Sequence, residues 1–347
     1  MKGSILIYVI CAVSILIFNS CSTSYQQSFA KSENVGRYTG IFPYRNDSKQ
    51  LDQISSSIQR VSTLALYEVY LFSENSNIKA ADLDDEFIKA NFVKKTGMDK
   101  STSGTAVLIY SDNGKVGLLT CAHVVDFPDT IISYFSNENG TYTDKVASIA
   151  FKKKEFVYIA GFPKGSEVKI IFMDRNSDLA LLGQNYSEKY LLDFPVLSCG
   201  YGKAKELDLA SFVYVVGFPL NYKMVSQAIV SSPNYDKNGS FFIDAVINRG
   251  YSGGAVLAVN SETSRFEWVG IVDWVAEENQ NILEPPSADE SLVYNPLVPY
   301  KGELYAKQMK VIKYGITKIV SMEEIENFLM KNKNYFINAG YSFSIYK

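Results

Sequence analysis

The chain has 347 residues, is 47% hydrophobic and 20% charged, and carries a formal charge of −3. That composition belongs to a globular protein with a core large enough to need no staples, and it excludes collagen-like, coiled-coil and disordered classes. The absence of a dense Lys/Arg tract argues against a nucleic-acid partner, and a single histidine, His123, excludes multi-histidine zinc sites.

Lys2 supplies a positive start, and residues 5–20 contain no charge. An apolar run of about 14 residues suits a signal-peptide core and falls short of the ~20 needed to span a membrane. The run ends at Phe18-Asn19-Ser20-Cys21 and is followed by the polar stretch STSYQQS. This resembles a bacterial lipoprotein signal, in which cleavage leaves a lipidated cysteine, here Cys21, although Asn19 stands where Ala, Ser or Thr is commoner. The resemblance implies a signal peptide over 1–20, a polar tether over 21–49, and a lipid-anchored place in the cell envelope. An ordinary secretory signal with an incidental Cys21 is the alternative. With Cys11 and Cys21 set aside, Cys121 and Cys199 remain; they could pair in an oxidising compartment, but buried free thiols are the blander expectation.

Apolar residues at 51, 54, 58, 61 and 64 keep a helical period. Residues 64–72 (LALYEVYLF) are rich in β-formers, and 73–102 read as a charged loop with one helical piece around 83–92. Beyond Thr102 short β-rich runs follow one another: 105–110, 115–120, 130–135, 155–160, 168–173, 179–182, 212–216, 224–231, 240–246, 254–259 and 266–275. Turn residues separate them, and strands alternating with helices are absent, so the pattern is that of an all-β sandwich or barrel. Ser321 followed by Glu324, then Ile325, Phe328 and Leu329, predicts a capped amphipathic helix over 321–330.

Three segments carry candidate chemistry. Leu118-Leu119-Thr120-Cys121-Ala122-His123 is an apolar strand delivering the one histidine. Asp178 stands at the mouth of the apolar run Leu179–Leu182, with Asp174 as a rival acid. Gly250-Tyr251-Ser252-Gly253-Gly254 places a serine in a glycine-rich turn before a strand. Each has a bland reading alone, as a packed histidine, a turn acid and a surface turn. Together, on an all-β background, they supply a base, its orienter and a nucleophile.

In that order the segments resemble the trypsin/chymotrypsin-like serine peptidases, specifically the HtrA/Deg-like bacterial branch. Ile243–Gly254 is similar to the TDAAINPGNSGG signature, Thr120–Val125 to TAAHVV, Asp178-Leu179-Ala180 to DLA, Val216–Pro219 to IGYP, and Gly270–Trp274 to GIVSW. The resemblance covers about residues 55–330. It implies an all-β double six-stranded barrel with an N-terminal and a C-terminal helix, occupying residues 50–335 before a tail at 336–347. The 17 residues after Met330 are too few for the PDZ domain that HtrA proteins generally add.

The implied activity is serine endopeptidase cleavage of extended or unfolded polypeptides, with no metal or organic cofactor. His123 would be the base, Asp178 its orienter and Ser252 the nucleophile, with the Gly250 and Ser252 N–H groups as oxyanion hole. Val246, six residues before the nucleophile, would form the base of the specificity pocket and favour small or medium apolar side chains. Asp273-Trp274-Val275 would pair with the substrate main chain. Three residues depart from the pattern: Tyr251 where Asn is common, Arg249 for Pro, and Asp273 for a small neutral polar residue. A carboxylate at 273 beside Asp178 would raise one of the two pKa values. These departures keep open an alternative, a catalytically impaired peptidase-like binding or scaffold lipoprotein. Oligomeric state is not legible.

Overall fold

The computed structural model describes residues 36–40, 47–112, 114–137, 141–162, 167–186, 194–284, 297, 299, 301–302, 304–343 and 345. The signal segment, Cys21 and most of the expected tether lie outside the described residues. The chain is mostly β, in two closed six-stranded barrels, as the resemblance implies.

The first barrel is built from β1 (Ile58–Leu71), β2 (Lys94–Asp112), β3 (Lys115–Cys121), β5 (Tyr142–Ile159), β6 (Glu167–Asp174) and β7 (Leu179–Asn185), with β4 (Thr130–Ser136) added to β5. The strands run β1-β2-β3-β7-β6-β5, and β5 returns to β1 in the register Val61↔Ile159 to close the ring. In the second barrel β12 (Ala255–Val259), β9 (Phe212–Gly217), β10 (Met224–Ser232), β11 (Phe241–Ile243), β14 (Tyr305–Ser321) and β13 (Phe266–Glu284) follow one another, and β13 closes onto β12. The two-residue β8 (Gly200–Tyr201) pairs with β13 in parallel. Closure leaves the barrel strands without free edges except where they outrun their neighbours.

The strands form where the apolar runs predict them, because Leu118, Leu119, Leu181 and Leu182 are fully buried between paired neighbours. Several boundaries differ from the sequence reading. The helix expected from Leu51 is α1 (Ser48–Ser56), and the apolar period that seemed to prolong it belongs to β1. Within the supposed loop at 73–102, α2 (Asp85–Asn91) is present, but 94–101 are strand, paired with Leu64–Leu71. The pattern missed β14 and the outer half of β13, which form an exposed two-stranded arm with few alternating apolar residues.

Two segments read as loose ends are packed. Residues 36–40 lie against the second barrel: Tyr38 is buried, Thr39 N–H donates to the Val259 carbonyl, and the Thr39 carbonyl accepts from Phe212 N–H. The expected tail at 336–347 follows α4 (Met322–Lys331) and α5 (Lys333–Asn338) back onto the first barrel. There Phe336, Tyr341 and Phe343 are buried, the last two against Tyr110. Ser321 caps α4, its Oγ accepting from Glu324 N–H at 3.2 Å, as the sequence predicts. No helix among the described residues is long and apolar enough to cross a membrane.

Candidate active site

The apolar strand β3 ends at Cys121 and passes into the single helical turn α3 (Ala122–Val125), which lifts His123 off the barrel. Asp178 occupies the turn between β6 and β7 in the left-handed region, φ +52°. That conformation, unusual outside glycine, is held from both sides. Its carbonyl accepts from Ala122 N–H at 3.0 Å and its Oδ1 from His123 N–H at 2.8 Å. Oδ2 lies 2.6 Å from His123 Nδ1. The carboxylate therefore fixes the imidazole by backbone and ring together and leaves Nε2 free for other chemistry. Asp174, the rival acid, accepts from Asn176 N–H within its own turn.

Ser252 comes from the second barrel, on the loop leading into β12. It lines the same open cleft as His123 and Asp178, about 730 Å³ in volume, which also holds Gly250 and Asp273–Val275. The Ser252 hydroxyl makes no hydrogen bond to His123 among the described residues. Such bonds commonly tighten only when substrate is bound. The loop's backbone explains its glycines. Gly250 has φ +105°, and a Cβ there would come within 2.5 Å of the Phe218 carbonyl. The Arg249 carbonyl accepts from Leu220 N–H at 3.3 Å. In a trans peptide the N–H opposes the C=O, so Gly250 N–H faces away from Leu220. Neither Gly250 N–H nor Ser252 N–H has an acceptor among the described residues.

One threonine joins the two barrels at this loop. Thr105, fully buried on β2, donates its hydroxyl to the Gly250 carbonyl at 2.7 Å and accepts from Phe218 N–H at 2.9 Å. Its own N–H donates to the Ser252 carbonyl at 2.8 Å, and its carbonyl accepts from the Thr120 hydroxyl at 2.7 Å. Sequence reasoning missed Thr105, since no local pattern marks a residue whose hydroxyl partners, Gly250 and Phe218, lie more than a hundred positions away.

The departures from the motif find physical places. Tyr251 is buried in the second barrel's core, with its hydroxyl 2.7 Å from Ser226 Oγ. Arg249, in place of the motif's proline, pairs with Glu277 on β13 at 3.2 Å. Asp273 is buried and paired with Lys318 of β14 at 2.9 Å, a cation the sequence reading did not anticipate.

Val246 requires a correction. It is 74% exposed and lines a separate surface depression with Phe212 and Asp244 instead of the cleft. Ile243, Ala245 and Ile247 point inward, so period-two alternation turns Val246 out. The cleft wall is formed by Ile247, Asn248 and Val275, with Glu277 and Lys310 at its rim. Trp274 and Val275 do line the cleft. The ladder of β13 with β12 ends at Ile271, and Val272 still exchanges hydrogen bonds with Gly253 and Gly254 at 2.8–2.9 Å, so on that side the main chain first lacks a strand partner at Asp273.

Electrostatics follow the contacts. Burial opposes protonation of His123, but the hydrogen bond and charge of Asp178 outweigh it and hold the pKa above its ordinary value. Burial likewise pushes Asp178 up, yet the His123 contacts leave it below the usual carboxylate range. Burial pushes Asp273 up to about 6, with Lys318 pulling it down and Asp178 pushing it up. Cys121 and Cys199 are both free thiols, as the blander expectation had it. The Cys121 thiol donates to the Val272 carbonyl at 3.1 Å. Atoms of Cys121, His123 and Asp178 lie within 4.8 Å of one another, the one grouping of metal-ligating type among the described residues. The mutual hydrogen bond of His123 and Asp178 already engages both.

No curated protein matches the chain. Residues 104–271, which contain His123, Asp178 and Ser252, match the family model of the trypsin-like peptidase domain.

Proposed function

We propose that the protein is a serine endopeptidase acting through His123, Asp178 and Ser252. The observation that carries this reading is the 2.6 Å contact of His123 Nδ1 with Asp178, in the same cleft as a serine loop whose Gly250 and Ser252 N–H groups have no acceptor among the described residues. His123 Nε2 takes the Ser252 proton as the hydroxyl attacks the scissile carbonyl, then delivers it to the leaving amine. Asp178 holds the tautomer and stabilises the imidazolium. The N–H groups of Gly250 and Ser252 receive the oxyanion, a contribution of about 3 kcal/mol per donor in comparable sites.

The substrate is an extended polypeptide that adds its main chain beside β13 beyond Val272, whose own backbone groups are engaged by Gly253 and Gly254. With Val246 outside the cleft, a preference for small or medium apolar side chains rests on Ile247 and Val275. A basic side chain would have to compete with Arg249 and Lys310 for Glu277, which both already contact at 3.2 Å. The motifs favour the HtrA/Deg-like branch, and the N-terminal segment favours anchoring through a lipid on Cys21. Labelled fatty acid incorporated by the native chain and lost in Cys21→Ser tests the anchor.

The activity is tested with a fluorophosphonate probe on purified protein beside Ser252→Ala. Labelling of the native protein alone is the expected result. Labelling of neither would overturn the peptidase reading in favour of a binding module.

A further inference from the structure

We propose that Lys318 is a positioning residue of this site: its ammonium is the counter-ion that allows residue 273 to be a carboxylate behind Asp178 while Asp178 keeps its bond to His123. The inference rests on the catalytic reading of His123 and Asp178 given above.

Asp273 lies on β13 immediately after the pairing with β12 ends, in a stretch where β13 bulges against β14 between Val272 and Val275. The bulge breaks the regular alternation, and Lys318 of β14 reaches Asp273 Oδ2 at 2.9 Å. The Asp273 side chain is 6% exposed and that of Lys318 26%, so water screens the pair poorly. The groups around them come from four other places. Asp178, from the β6–β7 turn, lines the same cleft as Asp273 and acts on it electrostatically, and His123 stands on α3 bonded to Asp178. The Cys121 thiol at the end of β3 faces both carboxyls, and Asp236, in the loop before β11, faces Lys318.

A buried carboxyl beside a second, only partly exposed one does not readily stay ionised without a nearby cation. Deprived of Lys318, Asp273 would retain a proton into the neutral range. Its O–H would then donate to Asp178, drawing negative charge from the oxygen atoms that orient His123. Lys318 should therefore matter only while residue 273 is a carboxylate, which a merely structural lysine would not obey.

The chain's single histidine makes this measurable without any turnover. Imidazole NMR signals from His123 would be followed against pH in the native protein, Lys318→Met, Lys318→Gln, Asp273→Asn and the double variant Asp273→Asn/Lys318→Met. The native protein should show, besides the titration of His123 itself, an inflection near pH 6 from Asp273. Either lysine variant should move that inflection up by about one unit or more. Asp273→Asn should abolish it, and adding Lys318→Met should then change nothing further. The fluorophosphonate labelling rate at pH 7 should fall several-fold in Lys318→Met, recover at pH 9, and be insensitive to Lys318→Met in the Asp273→Asn background.

An inflection unmoved in both lysine variants, each shown folded by its melting curve, would overturn the proposal. So would an equal loss of labelling in the Asp273→Asn background. If the native protein does not label at all, the peptidase reading falls, while the imidazole titration still decides whether Lys318 controls Asp273.

Discussion

Thr105→Val removes one oxygen atom and keeps the side-chain shape, and the structure assigns that oxygen a measurable share of stability. The hydroxyl is fully buried, donates to Gly250 and accepts from Phe218 N–H. Valine leaves one carbonyl and one N–H buried without partners. Each orphaned group costs about 1–3 kcal/mol, so a net loss of roughly 2–4 kcal/mol is expected. At a urea slope of roughly 3 kcal/mol/M, the unfolding midpoint should fall by about 1 M. Thr105→Ser restores the hydroxyl and should recover most of the loss, less the buried methyl at about 1 kcal/mol. Because the lost bond holds the carbonyl of Gly250, the fluorophosphonate labelling rate should fall in Thr105→Val even where the protein is fully folded. A valine variant with the midpoint of the serine variant, labelling at the native rate, would refute the claim that this hydroxyl fastens the loop to the first barrel.

The remaining predictions concern the site and its floor. The base must be neutral to accept a proton, and Asp178 holds His123 protonated above its ordinary 6.5. The acid limb of the pH–rate profile should therefore lie above pH 6.5. Asp178→Asn should move it downward and lower kcat by about 10⁴ through loss of the tautomer. Tyr251→Phe, which loses only the contact with Ser226, should cost about 1 kcal/mol in urea unfolding. Tyr251→Asn, which restores the commoner motif residue but empties a core site, should cost about 3–5 kcal/mol. Val246→Lys should leave the ranking of peptide substrates unchanged because the side chain lies outside the cleft. Asn248→Asp, which puts an acid on the cleft wall, should raise kcat/KM for peptides with Lys or Arg at the cleavage site.

Some of these features were legible before any coordinates. The apolar runs marked β3, β7, β9 and β12 most clearly because these are buried along nearly their whole length, and Ser321 with Glu324 marked the start of α4 because capping is a local event. His123, Asp178 and Ser252 stood out because each sits at a strand end with neighbours suited to its chemistry. Even the error at Val246 was avoidable, since Ile243-Asp244-Ala245-Val246-Ile247-Asn248 alternates inward and outward along the chain.

What depended on tertiary structure is the set of contacts between distant elements. Thr105 meets Gly250 across 145 positions, and Lys318 meets Asp273 through a bulge that shifts the register of β13 against β14. Residues 36–40 and the tail at 336–347 read as loose ends because the burial of Tyr38, Phe336, Tyr341 and Phe343 comes from partners elsewhere in the chain, not from a pattern of their own. Hydrophobic period, turn chemistry and capping act over a few residues, and one chain records them directly. Barrel closure, strand register and the pairing of buried charges are set by which strands meet, and only the folded molecule decides that.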